Sequence, residues 1–191
     1  MDLILLRHGQ SKANKDKVIG TPEVSLTQLG RDQALKAGLR LKAKKIDRVL
    51  VSPYTRAQET AQEVNKSLGL SLETEDLVRE VSFGILEGHR FEDMEKDPNY
   101  KDVLQAWLDN PRDTAPPGGE SIRDARARAQ AFLDKYKDQD QTILVVSHEG
   151  FIRALLSVVV GSVDSFFRFK VDNCSYIQAH WGDYPYIQAD S

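Results

Sequence analysis

The chain alternates between two hydrophobic periods. Leu3-Ile4-Leu5-Leu6 is a continuous apolar run, the pattern of a strand buried on both faces. Arg48–Ser52, Leu70–Glu73, Thr142–Ser147 and Ser175–His180 read as further strands. Between them the apolar spacing turns helical. Thr27 is placed to cap a helix running to about Lys44, with Ala34, Gly38 and Leu41 on one face. Ala57, Thr60, Ala61, Val64 and Leu68 follow the spacing of a second helix. Ser121, with Asp124 in the first turn, starts a third whose stripe is Ile122, Ala125, Ala129, Phe132, Leu133 and Tyr136. A fourth begins after Gly150 and passes through Ile152, Leu155, Leu156 and Val159 to a stop at Gly161.

Strand and helix in alternation predict an α/β fold, a three-layer α/β/α sandwich with a mostly parallel central sheet. The rhythm breaks from about Val81 to Glu120, where a short amphipathic helix (Val103, Leu104, Trp107, Leu108) precedes the loop Pro116-Pro117-Gly118-Gly119. That segment is too short to hold a core of its own, so it reads as an insertion over the sheet's carboxyl edge within a single domain spanning 1–191. The tail Trp181–Ile187 is a candidate edge strand or subunit contact, the latter implying a homodimer.

Composition narrows the field without redirecting it. The chain has 191 residues, 40% hydrophobic and 29% charged, as expected of one soluble globular domain. A net charge of -3 gives no reason to expect a nucleic acid or a membrane surface as partner. Cys174 is the single cysteine, which rules out an internal disulfide and a cysteine metal site. No basic n-region precedes the first strand and no apolar stretch approaches a membrane span, so the expected location is cytoplasmic.

The chemistry gathers at strand ends. The first strand runs into Arg7-His8-Gly9, the second into Ser52-Pro53-Tyr54-Thr55-Arg56 before a helix, and the fourth into Ser147-His148-Glu149-Gly150 before another. In a parallel sheet these ends share one edge, where ligands of open α/β sheets bind. Arg7 and Arg56 then bring two planar guanidiniums, and His8 and His148 two imidazoles, around one small volume. The helix N-termini that follow are expected to point free N–H groups at the same place. Such a site suits an anion held beside a nucleophile.

With these residues in place, the chain resembles the histidine phosphatase superfamily, the phosphoglycerate mutase-like enzymes, over nearly its whole length. Arg7-His8-Gly9 matches the family signature, with Asn14 following it. Leu26-Thr27-Gln28-Leu29-Gly30 with Gln33-Ala34, Ser52-Pro53 with Arg56-Ala57 and Glu59-Thr60-Ala61, Glu80 with Phe83-Gly84 and Glu87-Gly88, Pro117–Ser121, and Ser147–Gly150 match in order. Gln10 stands where many relatives have Glu, a change that bears on the hydrogen bonds around Arg7. Glu23 is a second departure, in a stretch where Asp and Pro are more usual.

The resemblance implies hydrolysis of a small-molecule phosphate ester through a phosphohistidine on His8, with no cofactor and no metal. Arg7 and Arg56 would keep His8 unprotonated and hold the phosphoryl oxygens, and His148 would donate to the same oxygens. Glu80 would protonate the leaving alkoxide, with Glu87 as its rival and pairing to Arg79 or Arg90 as the plain structural alternative for either. Asn14, Gly9, Ser11, Glu149, Gly150 and His89 complete the expected substrate-binding set. Within the family the segment Glu80–Gly88 and the absence of an Arg-Arg pair in the insertion favour a phosphatase over a mutase. A catalytically silent phosphate binder on the same fold is the alternative from another class. The substrate pocket is expected among Phe83, Ile85, His89, Phe91, Trp107 and the Pro116–Glu120 loop.

Overall fold

The computed structural model of the chain describes residues 1–188. Its strands are β1 (Asp2–Arg7), β2 (Arg48–Val51), β3 (Leu72–Thr74), β4 (Thr142–Ser147), β5 (Tyr176–His180) and β6 (Tyr186–Gln188). They form one sheet in the order β3-β2-β4-β1-β5-β6. β1, β4, β2 and β3 are parallel, while β5 runs antiparallel to both β1 and β6. The sheet is therefore mostly parallel, and the tail supplies the edge strand β6.

The helices are α1 (Lys12–Asp16), α2 (Gln28–Leu41), α3 (Thr55–Leu68), α4 (Phe91–Met94), α5 (Lys101–Asp109), α6 (Ile122–Tyr136) and α7 (Glu149–Val159). Side-chain alternation along β1 builds the layers. Ile4 and Leu6 face a core with Ala34, Leu41, Val64 and Val146, under α2 and α3. Leu3 and Leu5 face the opposite core with Phe132, Leu133, Phe151 and Leu155, under α6 and α7. Thr27 caps α2 through the Gly30 N–H, and Ser121 caps α6 in a reciprocal box with Asp124.

Several element ends depart from the sequence reading, three of them beside the site or on its helices. α2 stops at Leu41, because the Lys44 N–H bonds the Leu41 carbonyl at 2.9 Å and tightens the chain into a turn. α7 starts at Glu149, with His148 in extended backbone as its N-cap. α3 starts at Thr55, so Arg56 lies inside its first turn. The insertion also gathers a small satellite cluster of Leu86, Met94 and Leu104, against which Ile19, Phe83 and Trp107 pack. Backbone contact closes the insertion on itself. A Cβ on Gly84, which has φ +53°, would lie 2.1 Å from the Pro117 carbonyl oxygen, so the two loops meet only through glycine.

Candidate active site

Three neighbouring strands end at one level. The register aligns Leu6 with Val146 and Val146 with Val51. Beyond it, the His8 N–H bonds the Ser147 carbonyl at 2.9 Å and the Ser52 N–H bonds the Val146 carbonyl at 3.0 Å. His8, His148 and Ser52 thus emerge side by side at the carboxyl edge.

His8 is 3% exposed, and its Nδ1 lies 2.7 Å from the Gly9 carbonyl oxygen. A carbonyl only accepts, so Nδ1 carries the proton and Nε2 keeps its lone pair. Burial, then the Arg56 charge, and lastly that of Arg7 hold the imidazole pKa well below its ordinary value, against the opposing Gly9 bond. Gly9 is fixed in turn by its N–H bond to Thr60 Oγ1 at 3.0 Å. A Cβ on Gly9 would lie 2.3 Å from the Gly30 carbonyl oxygen, so the signature glycine is what lets α2 approach this turn.

His148 is fully buried, its ring centroid 5.1 Å from that of His8. Its Nε2 lies 2.7 Å from Ser52 Oγ, which already accepts the Tyr54 N–H. In the tautomer in which the Ser52 hydroxyl donates to Nε2, His148 Nδ1–H is a buried donor with no partner among the described residues. Burial, then Arg56 and His8, hold this imidazole neutral as well.

The cations are held from behind. Arg56, 4% exposed, donates to the Thr21 carbonyl at 2.7 Å and stands over the Tyr54 ring. Arg7 donates to the Val171 carbonyl and pairs with Glu149 at 2.8 Å. Glu149 also pairs with Arg153, one turn along α7. Both guanidiniums line a cleft of about 400 Å³ together with His8, Asn14, Glu80 and Glu149.

Glu80 sits at the start of α7. Its Oε1 accepts the Val81 N–H at 2.9 Å and the Phe151 N–H at 3.2 Å. Burial raises its pKa, and the opposing Arg56 charge does not cancel that rise. Glu87 is committed elsewhere, accepting the Ser82 hydroxyl and the Phe83 N–H at 3.0 Å each. Arg79 pairs with Asp76 and Glu120, not with either candidate acid.

Several expected roles change. Gly9 has both backbone groups occupied, so it orients His8 and offers no donor to a ligand. Ser11 lines the cleft, yet its side chain caps α1 through the Asn14 N–H. Asn14 Oδ1 accepts from the Ser11 N–H and from Asn173. Part of the expected free N–H set at the helix starts is taken: Thr55 bonds the Pro22 carbonyl and Phe151 bonds Glu80. Gly150 meets Glu80 rather than the cleft, since a Cβ there would lie 2.5 Å from Glu80 Oε1. His89 lies outside the cleft lining, its ring centroid 4.3 Å from that of Tyr100. Gln10 bonds Thr27 and Gln33 and does not touch Arg7. Ser52, Asn173 and Arg128 escaped the sequence reading. Asn173 bonds the His8 carbonyl at 3.0 Å, from a loop whose approach no local pattern reveals. Arg128 had a signal, a cation beside the apolar stripe of α6.

Fold and site together define an α/β protein that presents a bare imidazole nitrogen among cations at the carboxyl edge of its sheet. The chain belongs to the histidine phosphatase superfamily, branch 1, whose family model matches residues 3–187. It is 31% identical over 183 residues to phosphoserine phosphatase 1 of Hydrogenobacter thermophilus, covering 93% of this chain and 85% of that one. It is 35% identical over 169 residues to the 2,3-bisphosphoglycerate-dependent phosphoglycerate mutase of Mesorhizobium japonicum, covering 83% and 81%. Among solved structures, the α-ribazole phosphatase from Shigella flexneri superposes with a TM-score of 0.89 at 27% identity, covering 98% and 95%. Among the described residues no helix is long and apolar enough to cross a membrane.

Proposed function

We propose that this protein is a phosphomonoesterase acting on a small phosphorylated metabolite through a phosphohistidine on His8. The observation that carries the reading is the His8 Nδ1–Gly9 bond, which leaves Nε2 bare between Arg7 and Arg56. His8 Nε2 attacks phosphorus in line, and the bond from phosphorus to the ester oxygen breaks. Glu80, whose pKa burial raises, gives its proton to the departing oxygen. Arg7 and Arg56 hold the equatorial oxygens, with His148 Nδ1–H and the exposed Asn14 amide as further donors. Water then gives a proton to the Glu80 carboxylate and attacks phosphorus. The P–N bond breaks, and phosphate leaves with His8 neutral again.

The test is turnover of p-nitrophenyl phosphate, O-phosphoserine and α-ribazole phosphate with a chelator present, wild type beside His8→Ala. Turnover that vanishes in the variant, with an acid-labile phosphoramidate trapped on wild type, is the expected result. A folded wild type that hydrolyses none of a metabolite panel and traps no phosphate would sink the reading. Exchange between 3- and 2-phosphoglycerate primed by 2,3-bisphosphoglycerate, faster than hydrolysis, would assign a mutase instead.

A further inference from the structure

A second cavity adjoins the phosphate cleft. It encloses about 350 Å³ and shares Glu80, Phe83 and Glu149 with the cleft. Its other walls are mostly apolar, with Trp107, Phe166 and Phe167 foremost. Phe83 meets Trp107 edge to face at 5.3 Å, and Phe166 meets Phe167 likewise at 5.3 Å. Phe167 remains 53% exposed, an aromatic face that folding leaves uncovered. Arg153 is the one cation among the described lining residues; its Nη2 pairs with Glu149, which also pairs with Arg7, and its Nε has no partner among the described residues.

The direction of the reaction points into this space. This step rests on the reading of His8 as nucleophile. In-line displacement sends the leaving oxygen to the side of phosphorus away from His8, toward the proton on Glu80. Glu80 stands in the wall common to both cavities. Another space bordering the cleft is a groove with Lys15, Lys17, Arg90 and Phe91, and Glu80 has no part in it.

We propose that the aromatic cavity receives the alcohol half of the substrate, and that the preferred substrates are monophosphates of uncharged aromatic or bulky apolar alcohols. A carboxylate or second phosphate placed there would lose its water beside the Glu149 carboxylate and the apolar walls, and would have to share with Glu149 the one cation in the lining, Arg153. An aromatic ring gains burial and edge-to-face contact with the aromatic walls.

Three phosphates of primary alcohols test this with leaving groups of similar basicity: ethyl phosphate, 2-phenylethyl phosphate and O-phosphoserine. Burial of the ring is expected to raise kcat/KM for 2-phenylethyl phosphate about thirtyfold over ethyl phosphate. O-phosphoserine falls at or below ethyl phosphate. Phe167→Ala and Trp107→Leu each lower the 2-phenylethyl value about tenfold, mainly through KM, and the ethyl value far less. Calorimetry of the same intact esters on His8→Ala protein reads the ranking without turnover. A chain that hydrolyses nothing but binds 2-phenylethyl phosphate best would overturn the catalytic reading and keep this one. Tighter binding of O-phosphoserine, or an equal loss for every ester in both aromatic variants, would overturn the present proposal. Tighter binding of the charged ester would move its acid group to the Lys17–Arg90 groove.

Discussion

His8 and Glu80 share one cleft and must hold opposite protonation states. The nucleophile needs a bare nitrogen, and the acid needs its proton. Burial serves both, because it disfavours the charged form of each. The rate should therefore rise with pH through a His8 pKa below the ordinary 6.5, and fall through a Glu80 pKa above the ordinary 4.5. Arg56 lowers both values, so Arg56→Met should move both limbs of the kcat/KM profile to higher pH while lowering its height. A profile of reduced height with unmoved limbs would mean that other groups titrate. At this scale the sequence exposed the groups proposed to react, since Arg7-His8-Gly9, Arg56 and His148 each stand at a recognisable strand end. It did not expose what orients them. The Asn173 bond to the His8 carbonyl spans 165 positions, and such contacts exist only once the chain has folded. Gly9 illustrates the same point: its place in the signature suggested contact with the substrate, whereas its N–H is spent on Thr60.

α6 places Arg128 where a helix normally buries a hydrocarbon. The side chain donates to the carbonyls of Leu77, Arg79 and Glu80 and pairs with Glu120 through two bonds of 2.9 and 2.7 Å. Only 7% of Arg128 is exposed, so these bonds replace its water and fix the backbone that carries Glu80. Arg128 is thus a positioning residue for the acid. Arg128→Met should reduce kcat about a hundredfold for alkyl phosphates, with little change in KM, because a displaced general acid forfeits most of its effect. p-Nitrophenyl phosphate, whose leaving group needs little protonation, should lose far less. Arg128→Lys should restore part of the alkyl rate, and Glu80→Gln should reproduce the same dependence on leaving group. A loss equal for both ester types would assign Arg128 to general stability. Elements were legible in proportion to their length. α2, α3, α6 and α7 each repeat an apolar stripe over several turns, whereas α1 and α4 have 5 and 4 residues and show no period. Their existence rests on capping and packing: Ser11 and Asn14 close α1, and Met94 seats α4 in the satellite cluster.

The whole molecule concentrates charge that folding holds at a disadvantage. Strand alternation and helix stripes were enough to foresee the layers, and parallel order was enough to bring β1, β2 and β4 to one edge. Phe83 and Trp107 were expected in a pocket, but the antiparallel course of β5 and the far wall of the aromatic cavity were not foreseeable, because Phe166 and Phe167 come from a 3-10 turn after α7 with no periodic signal. That assembly has a thermodynamic consequence. Burial, together with the Arg7 charge, lowers the Arg56 pKa against the acids nearby, so the folded protein holds this cation less comfortably than water does. An anion that binds the folded state alone relieves the strain and stabilises by mass action. Inorganic phosphate at about 100 times its dissociation constant should add about 2.7 kcal/mol. For a domain of this size that is a rise in Tm of roughly 5–10 °C. Arg56→Met should abolish most of the rise, and sodium chloride of equal ionic strength should not produce it, since screening cannot replace a seated anion. An undiminished phosphate shift in Arg56→Met would place the anion elsewhere on the molecule and detach the charge at the sheet edge from ligand binding.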